Sequence, residues 1–207
     1  MSVEKEGDWF PWLIAAVLFA KPISVDIARR TIRLLLNEGV TTPEAIVECG
    51  WEGLVAILDA GGYVRYDFST ADRLLALAQA LPRDRLRRIR ARAPTAEALE
   101  RRLTEIKGVG PKTVNVFLRE LRGVWDLDLP LSEEARSAAR KVGLAVSALR
   151  LPKKSLARLE SVLVRTWIEH CKRGRWETCP AGDGCGCASK RGRSSAGPPR
   201  RRSLRSR

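Results

Sequence analysis

The stretch that decides the fold runs from Leu103 to Arg122 and reads LTEIKGVGPKTVNVFLRELR. Its pattern predicts two helices joined by a tight turn at Gly108, Val109 and Gly110, because glycine adopts backbone angles that other residues resist. Pro111 stands at the first position of the second helix, where its missing N–H costs nothing. The second helix therefore presents free backbone amides and the positive end of its dipole beside the turn, which is an arrangement that binds phosphate.

The string IKGVGPKTVNV, residues 106–116, resembles the helix-hairpin-helix of DNA glycosylases of the endonuclease III type. In that family the hairpin grips a DNA phosphate, and the lysine two residues past the second glycine is a Schiff-base nucleophile. Lys112 stands at that position. The alternative is an ordinary helical corner with a solvated lysine. The resemblance implies DNA contacts from Lys107, Gly108, Val109, Gly110 and Thr113.

The composition favours a polyanionic partner. The chain has 207 residues, of which 44% are hydrophobic, and a formal net charge of +14. The last 19 residues, 189–207, contribute eight positive charges and no acid, so the rest of the chain keeps +6. Such an excess of positive charge predicts a nucleic-acid partner. The resemblance implies that this partner is double-stranded DNA with damaged bases or abasic sites. An RNA-binding or chromatin-associated protein is an alternative that rests on charge alone.

No apolar run of the sequence reaches the length of a membrane span. The segment MSVEKEGDWF is polar and acidic, which is not typical of a secretory signal. We therefore expect an intracellular protein, cytoplasmic and nucleoid-associated, that acts as a monomer without membrane contact.

The sequence around the hairpin predicts an all-α fold, since no segment alternates as a strand does. The uncharged segment WLIAAVLFA, residues 12–20, predicts a helix that is buried on nearly all sides. A run at residues 83–92 contains six arginines against one acid, Asp84. Tyr63 and Tyr66, beside a glycine turn, either pack against the core or stack on bases. Helix N-caps are predicted at Ser24, Thr42, Thr95 and Ser132.

The resemblance covers about residues 9–187 and implies two helical lobes with a DNA-binding cleft between them. One lobe comprises residues 1–20 and 126–187, with a cysteine-rich loop. The other comprises residues 21–125 and contains the hairpin at 103–122. Residues 188–207 are predicted to be a disordered basic tail, which has no apolar face and adds sequence-independent DNA affinity.

The activity implied by the resemblance is that of a base-excision-repair glycosylase with AP-lyase activity. A neutral lysine, here Lys112, attacks C1′ of the damaged nucleotide, and the Schiff base allows β-elimination of the 3′ phosphate. Lys21 occupies a loop where the family often carries a wedge residue that fills the gap left by a flipped base. An equally good interpretation is that Lys21 is a solvated loop lysine without a role as a wedge.

The family also uses an aspartate at the start of the helix after the hairpin, where it stabilises the positive sugar. This chain carries Ser132 there, while Asp126 and Asp128 lie just upstream. We choose Asp128 as the catalytic carboxylate because it is nearer the helix. Three interpretations stay open: Asp128 or Asp126 has taken the role, Lys112 acts as a lyase on abasic sites only, or the chain binds DNA without catalysis.

Four cysteines predict a metal site, because clustered cysteines in an intracellular chain favour metal over disulfides. Their spacing is C-x7-C-x5-C-x-C, whereas the family's iron–sulfur loop is C-x6-C-x2-C-x5-C. A [4Fe–4S] cluster, zinc and no metal are the three alternatives. His170 is expected to be a helix-end residue. The candidate metal ligands are Cys171, Cys179, Cys185 and Cys187.

Overall fold

The computed structural model describes residues 3–82, 84–182, 185 and 186. Within this part of the chain every regular element is helical and no strand is present, which confirms the all-α prediction. Shorter helical turns occur at Glu6–Asp8, Val146–Leu149 and Trp167–Cys171. The nine α-helices of the described residues are α1 (Trp9–Phe19), α2 (Val25–Asn37), α3 (Pro43–Ala60, interrupted at Gly50), α4 (Asp67–Ala80), α5 (Arg85–Ala91), α6 (Ala96–Thr104), α7 (Pro111–Leu121), α8 (Glu133–Lys141) and α9 (Lys153–Thr166).

No helix among the described residues combines the length and the apolar character needed to cross a membrane. The predicted basic tail, residues 188–207, lies outside the described residues.

The four predicted N-caps are confirmed. In each case the side-chain oxygen accepts a hydrogen bond from a backbone N–H in the first turn, which satisfies one of the amides that a helix start leaves unpaired. The caps begin α2, α3, α6 and α8. The accepting side chains are Ser24, Thr42, Thr95 and Ser132, with donor–acceptor distances of 3.2, 3.1, 3.2 and 3.4 Å.

The chain divides into two compact units, the first ending at Leu129 and the second beginning at Pro130. This division differs from the predicted lobes, which place residues 1–20 together with residues 126–187. The uncharged helix α1 packs against α7 and α2 inside the first unit. All its residues from Leu13 to Leu18 are at most 3% exposed. The hydrophobic pattern of a helix predicts that it is buried. It does not predict which other helices cover it.

Aromatic contacts join α1 to the second hairpin helix, α7. The Nε1–H of Trp12 donates to the carbonyl oxygen of Phe117 at 3.1 Å. Trp125, which follows α7, meets the rings of Trp9 and Phe117 edge-on, with centroids 4.9 and 5.7 Å apart. Edge-to-face pairs add about 0.5–1.5 kcal/mol each to the stabilisation from burial. The hairpin is therefore anchored to the most apolar helix of the unit.

The second unit is built on α8 and α9. Its small core consists of Ala135, Ala138 and Ala139 of α8 with Leu163 of α9. The small alanine side chains allow the two helices to approach closely.

On the exposed side of α8, Arg136 and Arg140 hydrogen-bond the Glu133 carboxylate and hold its pKa at about 2.

Candidate nucleic-acid interface

The turn of the hairpin packs directly against α4. Gly108 has a φ of 92°, in the left-handed region that favours glycine. A Cβ atom at this position would lie 2.7 Å from Cγ of Arg73 and 3.1 Å from its backbone oxygen. Val109 is 4% exposed, and its N–H donates to the carbonyl oxygen of Ile106 at 2.9 Å. The turn is thus held by core packing on one side and by α4 on the other.

The N-terminus of α7 is not capped by a side chain, unlike those of α2, α3, α6 and α8. Its N-cap is Gly110, Pro111 follows at the first helical position, and the first helical bond is the one from the Val114 N–H to the Gly110 oxygen at 3.0 Å. The N–H groups of Gly110, Lys112 and Thr113 have no acceptor among the described residues. Gly110 is half-buried, Lys112 is exposed and Thr113 is 1% exposed as a whole residue, so the first two donors and the positive end of the helix dipole are available to an anion.

The side chains of the predicted DNA contacts are placed differently from one another. Lys107 and Lys112 are exposed on either side of the turn. Thr113 is 1% exposed and Val109 is 4% exposed, so both side chains belong to the core. As whole residues, backbone included, Thr113 and Val109 present almost no surface to a DNA partner.

Lys21 is linked to the hairpin through Arg73. Its ammonium lies over the Tyr66 ring, 5.1 Å from the centroid, and the guanidinium of Arg65 lies over the same ring at 5.7 Å. Burial and then the positive charge of Arg73 lower the pKa of Lys21. Arg73 also lies against the hairpin turn at Gly108. Tyr63 is fully buried and donates its hydroxyl to the Leu18 oxygen at 2.7 Å, so it packs in the core.

Asp128 is exposed on the loop that follows α7. Two arginines fasten this loop. Arg122 is 2% exposed and donates to the Leu129 oxygen at 2.7 Å, and Arg90 donates to the Trp125 oxygen at the same distance. The preceding acid, Asp126, has a left-handed backbone with a φ of 53°. Asp128 is thus presented to solvent by a fixed segment.

Ser132 is a structural cap, but a carboxylate is present at the same helix start. The buried side chain of Glu160, from α9, accepts the Ser132 N–H at 2.8 Å. Glu160 is 1% exposed. It was not among the residues predicted from the sequence. The signal that could have identified it was a charged residue on the apolar stripe of α9, between Leu156 and Leu163.

Replacing Glu160 with alanine is expected to lower the free energy of unfolding by about 2–3 kcal/mol, because the buried Ser132 N–H loses a charged acceptor. Urea denaturation followed by circular dichroism measures this change. Glu177, exposed in the same unit, is the matched control. Its replacement with alanine should change stability by less than about 0.5 kcal/mol. Equal losses of stability in both variants would show that the buried bond does not stabilise the unit.

The described cysteines do not assemble a metal site. Cys171 is half-buried at the end of the last helical turn, and Cys179 and Cys185 are buried and form no disulfide with each other or with Cys171. Cys187, the fourth predicted ligand, lies outside the described residues. Among the residues that are described, no group of three or more cysteine, histidine or carboxylate side chains is arranged to hold a metal ion. The predicted metal site, which includes Cys187, therefore stays a prediction.

His170 has a structural environment at the end of the same turn. Its Nδ1 lies 3.2 Å from the carbonyl oxygen of Arg175, and the Arg175 N–H donates to the His170 oxygen at 3.0 Å. The Thr178 hydroxyl is 3.4 Å from Nδ1. These contacts close the loop that leads to Cys179.

No protein-family model matches this chain, and no curated protein matches it. Any functional assignment therefore depends on the residues and geometry of the hairpin and its surroundings.

Proposed function

We propose that this chain is a DNA-repair enzyme of the helix-hairpin-helix glycosylase type, which binds damaged duplex DNA and cleaves abasic sites through a Schiff base on Lys112. One observation carries the proposal. A glycine turn presents an uncapped helix N-terminus, with an exposed lysine at the second helical position. This combination provides both a phosphate site and a nucleophile within one helical turn.

The phosphate grip follows from the free amides of α7. The N–H groups of Gly110 and Lys112 bind a backbone phosphate at the positive end of the helix dipole. Lys107, exposed beside the turn, adds a charge-assisted contact. These contacts read the backbone, so they position the enzyme without selecting a sequence.

The lyase step needs an amine at C1′ of the abasic sugar. The Lys112 amine adds to the C1′ aldehyde, and loss of water gives an iminium ion. Removal of a C2′ proton then breaks the C3′–O bond and expels the 3′ phosphate, and hydrolysis of the imine restores the lysine. When a damaged base is present, attack of the Lys112 amine on C1′ displaces the base, which takes up a proton as it leaves, and opening of the sugar ring gives the same iminium ion. The exposed carboxylate of Asp128 is our candidate for stabilising the positive charge on the sugar.

A second candidate function is DNA binding without catalysis. It is favoured by Ser132, which stands where the resemblance implies a catalytic aspartate and which acts as a helix cap. Both candidates place the protein with intracellular DNA, as a monomer.

The experiment that separates the two candidates uses one duplex with a single abasic site and a matched undamaged duplex. We expect the protein to cut only the first, on the 3′ side of the site, leaving an unsaturated aldehyde. On a further duplex that carries one damaged base, Asp128→Asn is expected to slow removal of that base by roughly a hundredfold or more, whereas Asp126→Asn serves as its matched control. Binding of both duplexes without cleavage would support the second candidate and contradict the first.

A further inference from the structure

Arginines surround a pocket of about 200 Å³ between α5 and α6 in the first unit. Arg85, Arg88 and Arg92 come from α5 and its C-terminal end, and Arg102 comes from α6. Ile89 supplies the apolar part of the lining. A pocket lined by four arginines and one isoleucine is unlike the mostly apolar pockets that take neutral small molecules.

Three arginines of the run at residues 83–92 have partners in the protein. Arg90 donates to the carbonyl oxygens of Ala93 and Trp125, at 3.2 and 2.7 Å, and therefore braces the loop after α7. Arg87 lies 3.5 Å from the Glu6 carboxylate. Arg88 hydrogen-bonds Asp84 at 2.7 Å, at the edge of the pocket. Arg87 and Arg88 therefore have carboxylate partners although their side chains are 63% and 54% exposed.

Three guanidinium groups of the pocket differ from these. Arg85, Arg92 and Arg102 have no carboxylate partner among the described residues. Like charges held around one concavity repel each other, and an anion bound between them removes that repulsion. The planar guanidinium fork matches the oxygens of a phosphate group.

We propose that this pocket binds a phosphate group, separately from the hairpin. The phosphate comes either from the backbone of bound DNA or from a free polyphosphate, since both present the same oxygens to the arginines. The proposal does not depend on Lys112 or on catalysis, because neither the pocket nor its charge includes the hairpin turn. It can therefore hold or fail independently of the proposed lyase activity.

The DNA source is tested with an undamaged duplex and the double variant Arg92→Gln/Arg102→Gln. The control is Arg33→Gln/Arg101→Gln, which removes the same charge from exposed positions outside the pocket. If a backbone phosphate occupies the pocket, the pocket variant binds roughly tenfold more weakly. The slope of log affinity against log salt concentration also becomes about 0.9 smaller for each phosphate that the variant no longer neutralises. The control variant is expected to show smaller changes in both quantities.

Binding of a free polyphosphate is tested with pyrophosphate as the probe. ³¹P NMR and calorimetry on the full chain measure its binding. If a free polyphosphate occupies the pocket, pyrophosphate binds the parent and the control saturably but not the pocket variant, and DNA binding is the same in the two variants. Circular dichroism of each variant checks that the fold is retained. The proposal is overturned if pyrophosphate binding is absent or unaffected and the two double variants bind DNA with equally reduced affinity.

Discussion

Gly108→Ala is expected to lower the free energy of unfolding by about 2–5 kcal/mol, because it combines backbone strain with an overpacked contact. Gly108 has a φ of 92°, which an L side chain rarely adopts. The added Cβ would lie 2.7 Å from the Arg73 side chain and 3.1 Å from its backbone oxygen. The side chain can move, but the backbone of α4 cannot shift without disturbing its own hydrogen bonds. The hairpin turn must move instead.

The matched control is Gly110→Ala, on the other side of Val109. Gly110 has a φ of −94°, and no atom lies within 4 Å of an added Cβ. Its replacement should cost at most about 1 kcal/mol. Urea denaturation of both variants measures the difference. Equal stabilities would mean that the turn is not held against Arg73, and the described packing of the hairpin would be incorrect.

Lys112→Ala is expected to reduce cleavage of an abasic duplex by at least about a thousandfold, because the variant lacks the amine that forms the imine. Lys112 is exposed and takes no part in the core, so its removal should leave stability nearly unchanged. Duplex affinity should fall by less than about tenfold, the effect of removing one charge near a phosphate. Single-turnover cleavage rates and anisotropy titrations with the same duplex measure these two quantities.

Lys112→Arg is the control that separates charge from nucleophilicity. A guanidinium keeps the positive charge but stays protonated, and so it does not attack a carbonyl. The arginine variant should bind DNA as tightly as the parent and be as inactive as the alanine variant. Substantial cleavage by either variant would assign the chemistry to another group.

Local features of the fold could be predicted from the sequence. The turn at residues 108–110, the proline at the start of α7 and the caps at Ser24, Thr42 and Thr95 depend on a few neighbouring residues, and all of them are confirmed. Backbone angles and first-turn hydrogen bonds are short-range effects. They are therefore readable without knowledge of the tertiary contacts.

Contacts between distant segments could not be predicted. Arg73 packs on Gly108, Glu160 binds the N–H of Ser132, and α1 lies in the first unit. Each of these depends on which helical faces meet, and periodicity gives only the direction of an apolar face. The carboxylate at the start of α8 was missed for the same reason, since it comes from 28 residues further along the chain.

The two candidate catalytic residues, Lys112 and Asp128, differ in how far the sequence predicts them. A short motif predicts Lys112, and this residue is exposed at the second position of α7. Asp128 was chosen by its proximity along the chain to α8, on a loop whose position is set by Arg90 and Arg122. The role of Asp128 therefore stays a prediction that the Asp128→Asn variant tests.

The most direct test of the central claim is borohydride trapping on a duplex with one abasic site. Borohydride reduces an imine to a stable amine, so a Schiff base becomes a covalent protein–DNA adduct. We predict an adduct with the parent protein, linked at Lys112 in the peptide map, and no adduct with Lys112→Ala or Lys112→Arg. A parent protein that binds the duplex but forms no adduct, or forms one equally well without Lys112, would contradict the proposed mechanism.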